Sequence, residues 1–325
     1  MDLLGTVLLT LKVIDSSIGI FELKPPWGFA MPHLSDDFVF IFAPVDTACW
    51  LSVEGAEPVR VDAGDSAMVL GGAAHVYRSA PDAPVVALPP LWASRGLPEL
   101  GPGVSRSGPV RFTWQPSARS RAPTQRLLTL ALVVQGAARN PVLSALPRLM
   151  LLRQSEGRLF PWLPPALQLL EAEEGADTPG YEVTARHHAT LIFTSLLRAH
   201  AVSQRTGRAS WLRGLTDPQI GQALALMHGQ PGEPWTLLSL ARACGMSRSN
   251  FARRFAALVG SSVMAHLTAV RMSAAAEQLT AGVPVSTVAA QAGFRSEWSF
   301  RQAFVRQYGS TPLRYGKASR SGMVA

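Results

Sequence analysis

A chain of 325 residues, 47% apolar and 16% charged, has room for two or three folded domains and is not a disordered polymer. Its net charge of +8 is unevenly placed: residues 216–325 hold 11 Lys/Arg against 4 Asp/Glu, while the first 215 hold 19 against 18. The basic excess therefore sits in the last third of the chain, the electrostatic footprint expected of a module that meets nucleic acid.

Other classes are set aside by what the composition lacks. Cys49 and Cys244 match no zinc or redox spacing and read as two free thiols in a reducing compartment. Residues 1–14 are apolar but carry Asp2 in front and Lys12 within, so they lack the form of a signal peptide. No run approaches 18 uncharged apolar residues. The expectation is a cytoplasmic protein with no membrane partner.

In chain order, residues 1 to about 115 read as β-rich. Short apolar or alternating runs at 38–42, 48–53, 59–61, 67–70 and 85–88 are punctuated by Pro, Gly and Asp, the pattern of a small barrel or sandwich. Residues 93–124, rich in Gly, Pro, Ser and Arg, are expected to contain a mobile loop, and 126–135 reads as one more strand. The period then changes. Asn140-Pro141 opens a helical piece ending near Met150, 163–172 reads as a second helix, and 180–204 as a long amphipathic one. That last helix can pack on the barrel or against its twin in a dimer. Residues 205–213 are a polar, basic linker. Asp217-Pro218, a cap followed by Pro at the first helical position, opens the final domain. Its helices are expected at 217–228, 237–244, 248–259, 262–281, 285–292 and 297–308, with a short one after Pro312.

Within that domain one pattern occurs twice, about 49 residues apart: Leu240–Phe255 and Val288–Phe304. Each copy is a short apolar helix, a glycine turn (Gly245, Gly293), a serine cap (Ser247, Ser296) and a second helix with apolar residues four apart. The pairs Phe251/Phe255 and Phe300/Phe304 are expected to face inward. That leaves Ser249, Asn250, Ala252, Arg253 and Arg254 on the first helix, and Glu297, Trp298, Ser299, Arg301 and Gln302 on the second. This is the grammar of a helix-turn-helix reader, whose second helix enters the major groove. The helix between the copies has some 20 residues, or roughly 30 Å, close to one turn of DNA.

Residues 217–317 resemble the DNA-binding domain of the AraC/XylS transcription regulators. The resemblance is carried by Gly282 through Phe304, Tyr308-Gly309 and Thr311-Pro312-Leu313-Arg314-Tyr315. It implies base reading by Ser249, Ala252 and Arg253 in the first copy and by Glu297, Trp298, Ser299 and Gln302 in the second. Ser247, Asn250, Ser296, Arg254, Arg301 and Arg306 complete the expected interface, the arginines as phosphate contacts. Glu297 departs from the pattern because it repels phosphate, although it can accept from a cytosine amine. Pro26-Trp27-Gly28, Cys49-Trp50-Leu51 and Ala63 through His75 resemble the cupin-type sensor domain of one branch of that family. The resemblance implies double-stranded DNA and RNA polymerase as partners, a small-molecule effector, and a homodimer.

The expected fold class is thus multi-domain α and β: a cupin-like β-barrel with a helical connector, then an all-α double helix-turn-helix. The expected boundaries are 1–140 barrel, 141–204 connector, 205–215 linker, 216–317 DNA-binding domain and 318–325 tail. Many cupins are metalloenzymes, but a metal site needs His-x-His with a carboxylate and a further His, and the barrel segment offers only His33 and His75. No metal, cofactor or catalytic set is expected. Trp27, His33, Trp50 and His75 are the candidate effector contacts. Two alternatives stay open: a cupin metalloenzyme with an appended DNA-binding domain, and a constitutive DNA binder whose barrel only dimerises.

Overall fold

The computed structural model describes residues 11–98, 108–116, 121–137, 146–154, 179–203, 217–294 and 296–320, with a few isolated positions elsewhere. They fall into two compact units, residues 12–137 with 147–203, and residues 1–11, 138–146 and 204–325.

The first unit is built from two sheets. In chain order its described elements are β1 (Val13–Leu23), β2 (Gly28–Met31), β3 (Phe38–Pro44), β4 (Cys49–Val53), β5 (Val59–Val61), β6 (Ser66–Val69), β7 (His75–Arg78), β8 (Val86–Ala87), α1 (Leu88–Ser94), β9 (Val110–Trp114), β10 (Gln125–Val134), β11 (Leu149–Leu152) and α2 (Tyr181–Ser203). One sheet runs β11-β6-β3-β10-β1-β9 and the other β5-β4-β7-β2-β8. Side chains from both meet in one core, including Phe21 and Phe42 from the first sheet and Phe29, Leu51 and Tyr77 from the second. The cupin-like unit is therefore a two-sheet sandwich of jelly-roll type.

Aromatic rings dominate that core. Phe21 lies 5.0 Å from Phe112, Phe29 5.5 Å from Phe112 and Phe42 4.9 Å from Tyr77, ring centre to ring centre. The pleat decides who takes part. Val53 pairs with His75 and Leu51 with Tyr77, so these four share the inner face, while Trp50 and Ser52 point to the other.

Four stretches differ from the sequence reading. β1 is an 11-residue strand paired with β10 and, in parallel, with β9. It is buried along nearly its whole length, so it lacks the alternation by which half-buried strands announce themselves. Residues 110–114, for which the sequence singles out no strand within the stretch expected to contain a loop, form β9 and bury Phe112. The run at 85–88 is strand only at Val86–Ala87; α1 starts at Leu88 with Pro89 and Pro90 in its first turn, where a missing N–H costs nothing. Residues 149–152, read as the end of a helical piece, form β11 against β6. A run of Leu-Met-Leu-Leu fits a buried strand or a helix equally well, and pairing decides it. The helix read at 163–172 and the linker at 205–213 lie outside the described residues.

The long helix α2 takes the first of its two expected options. It packs on β1 and β11, burying Ala189, Ile192, Phe193, Leu196 and Leu197 and leaving Val183 and Leu191 exposed.

In the second unit the helices are α3 (Pro218–Gly229), α4 (Leu237–Ala243), α5 (Arg248–Val259), α6 (Val263–Thr280), α7 (Val285–Gln291), α8 (Glu297–Tyr308) and α9 (Pro312–Arg320). All lie within a residue or two of the sequence reading. Among the described residues no single helix is long and apolar enough to cross a membrane.

The burial of Phe112 distinguishes a strand from a loop at residues 110–114. Truncating a buried Phe costs about 3–5 kcal/mol, whereas a loop residue costs almost nothing. Phe112→Ala is expected to lower the unfolding free energy of the β-rich unit by that amount, read as a lower urea midpoint; an unchanged midpoint contradicts β9.

Candidate nucleic-acid interface

Each reader begins with a cap and a turn. Thr236 and Ser239 form a reciprocal capping box at the start of α4. Gly245 (φ 64°) then carries the chain into α5 with a left-handed residue, as its position after the first helix requires. Ser247 has the extended backbone of an N-cap, but its side chain makes no cap hydrogen bond among the described residues. Phe251 and Phe255 are fully buried, 5.8 Å apart edge to face. On the other side Ser247, Ser249, Asn250 and Arg253 are exposed, with Ala252 and Arg254 half-buried. Arg253 donates to the neutral Asn250 carbonyl oxygen at 3.2 Å, so its charge stays available. Arg254 turns elsewhere. Its Nε and Nη2 donate to Asp217 and its Nη1 to Gln219.

The second reader repeats the plan with a working cap. Ser296 accepts from the Ser299 N–H at 3.2 Å, and Gly293 has φ 73°. Phe300 and Phe304 are fully buried, and Tyr308 stacks on Phe304 while its hydroxyl donates to the Met272 carbonyl. Outward stand Arg301, Gln302, Arg306 and Trp298, whose ring is 71% exposed. Trp298 is thus a presented aromatic surface, not a packing residue. Glu297 accepts from Nε and Nη2 of Arg301 at 2.8 and 2.5 Å. This pair offsets the phosphate repulsion expected of Glu297, though an exposed pair adds little stability.

One helix holds both readers. The N-terminal half of α6 packs against α3 and α5, and its C-terminal half against α7, α8 and α9. Its 18 residues span roughly 27 Å. The sequence reading missed a second brace. Arg271, near the middle of α6, donates to the carbonyls of Pro231 and Glu233 at 2.7 Å each, fixing the loop between α3 and α4. That loop lies against the turn of the second reader: a Cβ on Gly293 would meet the Gly232 oxygen at 2.8 Å. Gly293 therefore serves both a left-handed turn and a close backbone approach.

A buried histidine pair also lies in the first reader. His228 on α3 and His266 on α6 face each other with Nε2 to Nε2 at 3.2 Å, and His266 meets the edge of Phe255 at 5.7 Å. One ring donates the shared proton and the other accepts it. Burial holds both below the ordinary histidine range, and His266 further disfavours charge on His228, so the pair is neutral near pH 7.

The first unit has an interior cavity of about 30 Å³, lined by Phe21, Met31, Phe40, Phe42, His75 and Tyr77 among others, and a shallower one of about 690 Å³ that shares Met31 and His75. His75 is the one sequence candidate that lines them. Its Nδ1–H donates to the Ala73 carbonyl at 2.7 Å, which leaves Nε2 as an acceptor with no partner among the described residues. Burial pushes its pKa down to about 4, so it stays neutral. Trp27 fills the core beside Phe29, its N–H satisfied by Gln125 at 2.8 Å. Trp50 lies on the opposite face of β4 from the inner residues. His33 is exposed and 3.7 Å from Asp36. Burial pushes the Cys49 thiol up to about 12 and so leaves it unreactive. Among the described residues no group of three or more His, Cys, Asp or Glu is placed to hold a metal.

A jelly-roll unit joined to two helix-turn-helix readers on one shared helix defines the class of protein. A family model described as cupin matches residues 2–202, and one described as a helix-turn-helix domain matches residues 240–318. The chain belongs to the AraC/XylS family, in the branch with an N-terminal cupin domain. It is similar to the HTH-type transcriptional regulator AlkR of Acinetobacter baylyi, 34% identical over 182 residues, 55% of this chain and 59% of that protein. It is also similar to the RCS-specific HTH-type transcriptional activator RclR of Escherichia coli, 33% identical over 162 residues, 50% of this chain and 57% of that one. The chain thus spans between half and three-fifths of the length of these curated relatives. Among solved structures, the DNA-binding domain of the global transcriptional factor AdpA in complex with a target DNA is 35% identical. That match covers 32% of this chain and 95% of that one, with a TM-score of 0.31.

The histidine pair gives a pH dependence of definite sign. Unfolded histidines bind protons near pH 6.5, whereas the folded pair resists them down to about 4, so stability is complete above about 6.5 and falls as the pH drops through that window. The urea midpoint of the helical unit, followed by circular dichroism, is expected to decline between pH 6.5 and 4. Replacing both histidines with Gln should flatten this decline; an equal decline in that variant contradicts the assignment.

Proposed function

We propose that this protein is a sequence-specific DNA-binding transcription regulator whose two recognition helices, α5 and α8, enter adjacent major-groove windows of one duplex. The observation that carries the reading is the matched orientation of two helices on one rod. Phe251/Phe255 and Phe300/Phe304 are buried, which turns Ser249/Arg253 and Trp298/Gln302 outward. Arg253 reads a guanine through its two-pronged donor edge, and Ala252 touches a thymine methyl. In the second window Ser299, Gln302 and Trp298 face the bases, while Ser296, Arg301 and Arg306 contact the backbone. The protein works in the cytoplasm as a homodimer, together with RNA polymerase.

The first unit takes a small, mostly apolar effector. His75 supports this reading, because it also belongs to the mostly apolar wall of the cavity of about 690 Å³ and its buried Nε2 has no partner among the described residues; the interior space of about 30 Å³ has room for one water and not for an effector. The matching effector carries one hydrogen-bond donor on an apolar body, since an unpartnered polar group in such a wall costs free energy on both sides.

Selection from a random-sequence DNA pool with the full chain is expected to return a two-part site whose binding weakens steeply with salt. Arg253→Ala should lose about 1–3 kcal/mol of discrimination at one base pair and leave the other window's preference intact. An unchanged preference in that variant removes Arg253 from the reading set.

A further inference from the structure

We propose that the first turn of α3 is a clamp on the first reader, in which Asp217 is a positioning residue that holds α5 through Arg254 and keeps that arginine off the DNA backbone. The proposal rests on the DNA-reading function above and assigns Arg254 a different part in it.

The two oxygens of Asp217 do two jobs. Oδ1 caps α3 by accepting from the N–H groups of Gln219 and Ile220 at 3.1 and 3.0 Å. Oδ2 accepts from Nε and Nη2 of Arg254 at 3.1 and 2.5 Å. Gln219 takes a third N–H of the same guanidinium at 3.0 Å, and its own amide donates to the Cys244 carbonyl at 3.1 Å. Gln222 donates to the Ala243 carbonyl at 3.0 Å. Those two carbonyls lie at the end of α4, where a helix leaves its oxygens without partners. One turn of α3 therefore grips both sides of the helix-turn-helix corner: the end of α4 and the middle of α5.

Two consequences follow for reading. Adjacent residues on a helix diverge by about 100°, so tying Arg254 to α3 fixes the rotation of α5 and sends Arg253 outward. The pairing also removes one positive charge from phosphate binding. The Asp217 side chain is 12% exposed and that of Arg254 41%, so the carboxylate end of the pair is buried while the guanidinium keeps one side in water. The first reader thus gives up non-specific attraction and gains orientation.

The test measures binding against salt for the full chain on two duplexes of equal length, one selected from a random pool by the wild-type protein and one unrelated. Asp217→Asn keeps the cap, because Asn caps as well as Asp, but turns an amide N–H₂ toward the guanidinium. It is expected to steepen the slope of log K against log salt by about 0.9 and to bind the unrelated duplex more tightly. The preference for the selected duplex should fall on the order of tenfold. Arg254→Gln should lose the same preference with no change in slope, and the double variant should return to the wild-type slope. Circular dichroism verifies that each variant is folded. Should Asp217→Asn not fold, Arg254→Gln alone decides between the outcomes. If Arg254→Gln flattens the slope by about 0.9, Arg254 is an ordinary phosphate ligand and the clamp is wrong, while the DNA-reading function stands. If no folded variant changes the preference, the clamp is equally wrong. If the wild type binds neither duplex at low salt, the DNA-reading function itself falls and takes the clamp with it.

Discussion

Everything in the second unit depends on how two pairs of phenylalanines are seated against one helix. A helix completes a turn in 3.6 residues, so apolar side chains four apart occupy one face and whatever lies between them is turned outward. Phe251/Phe255 and Phe300/Phe304 are fully buried, and α6 packs against both helices that carry them. Their burial sets the rotation of each recognition helix about its own axis. Arg271 and the close approach of Gly232 to Gly293 then tie the loop of one reader to the turn of the other. The outward residues are thus held by packing, hydrogen bonds and backbone contact together, which is what a site needs for its geometry to be fixed before it meets a partner.

The first unit follows a different logic. Its core is aromatic, its two sheets share that core, and the Trp27 N–H and the His75 Nδ1–H that it buries are both paired. Several other buried side-chain atoms lack a partner among the described residues, and of these the Nε2 of His75 is the one that belongs to the lining of the interior cavity. An acceptor left without a protein partner lowers stability unless something else meets it, and a space of about 30 Å³ beside it has room for one water.

Much of the second unit was legible in the sequence because its signals are local. Asp217-Pro218, Gly245, Ser296 and Gly293 mark helix ends within a few residues of where they act, and all the helix bounds lie close to the reading. The first unit was less legible. β1 carries no alternation because both of its faces are covered; β9 hides in a segment rich in Gly, Pro and Arg; β11 was read as helix because Leu-Met-Leu-Leu has no period of its own. The contacts that refine the readers were hidden for another reason. Arg254 meets Asp217 across 37 positions and Arg271 meets Pro231 across 40, and nothing in the spacing of either pair announces it. Arg254 was expected as a phosphate contact or a solvated charge, and its guanidinium is turned to Asp217 and Gln219 at the start of α3.

The account's central claim is that one rod of about 27 Å places two readers on the same face of a duplex. Hydroxyl-radical footprinting of the full chain on a selected site measures this directly. The expected result is two protected clusters on one face, centred about 10 base pairs apart. A single protected cluster, or two that lie on opposite faces of the duplex, would contradict it.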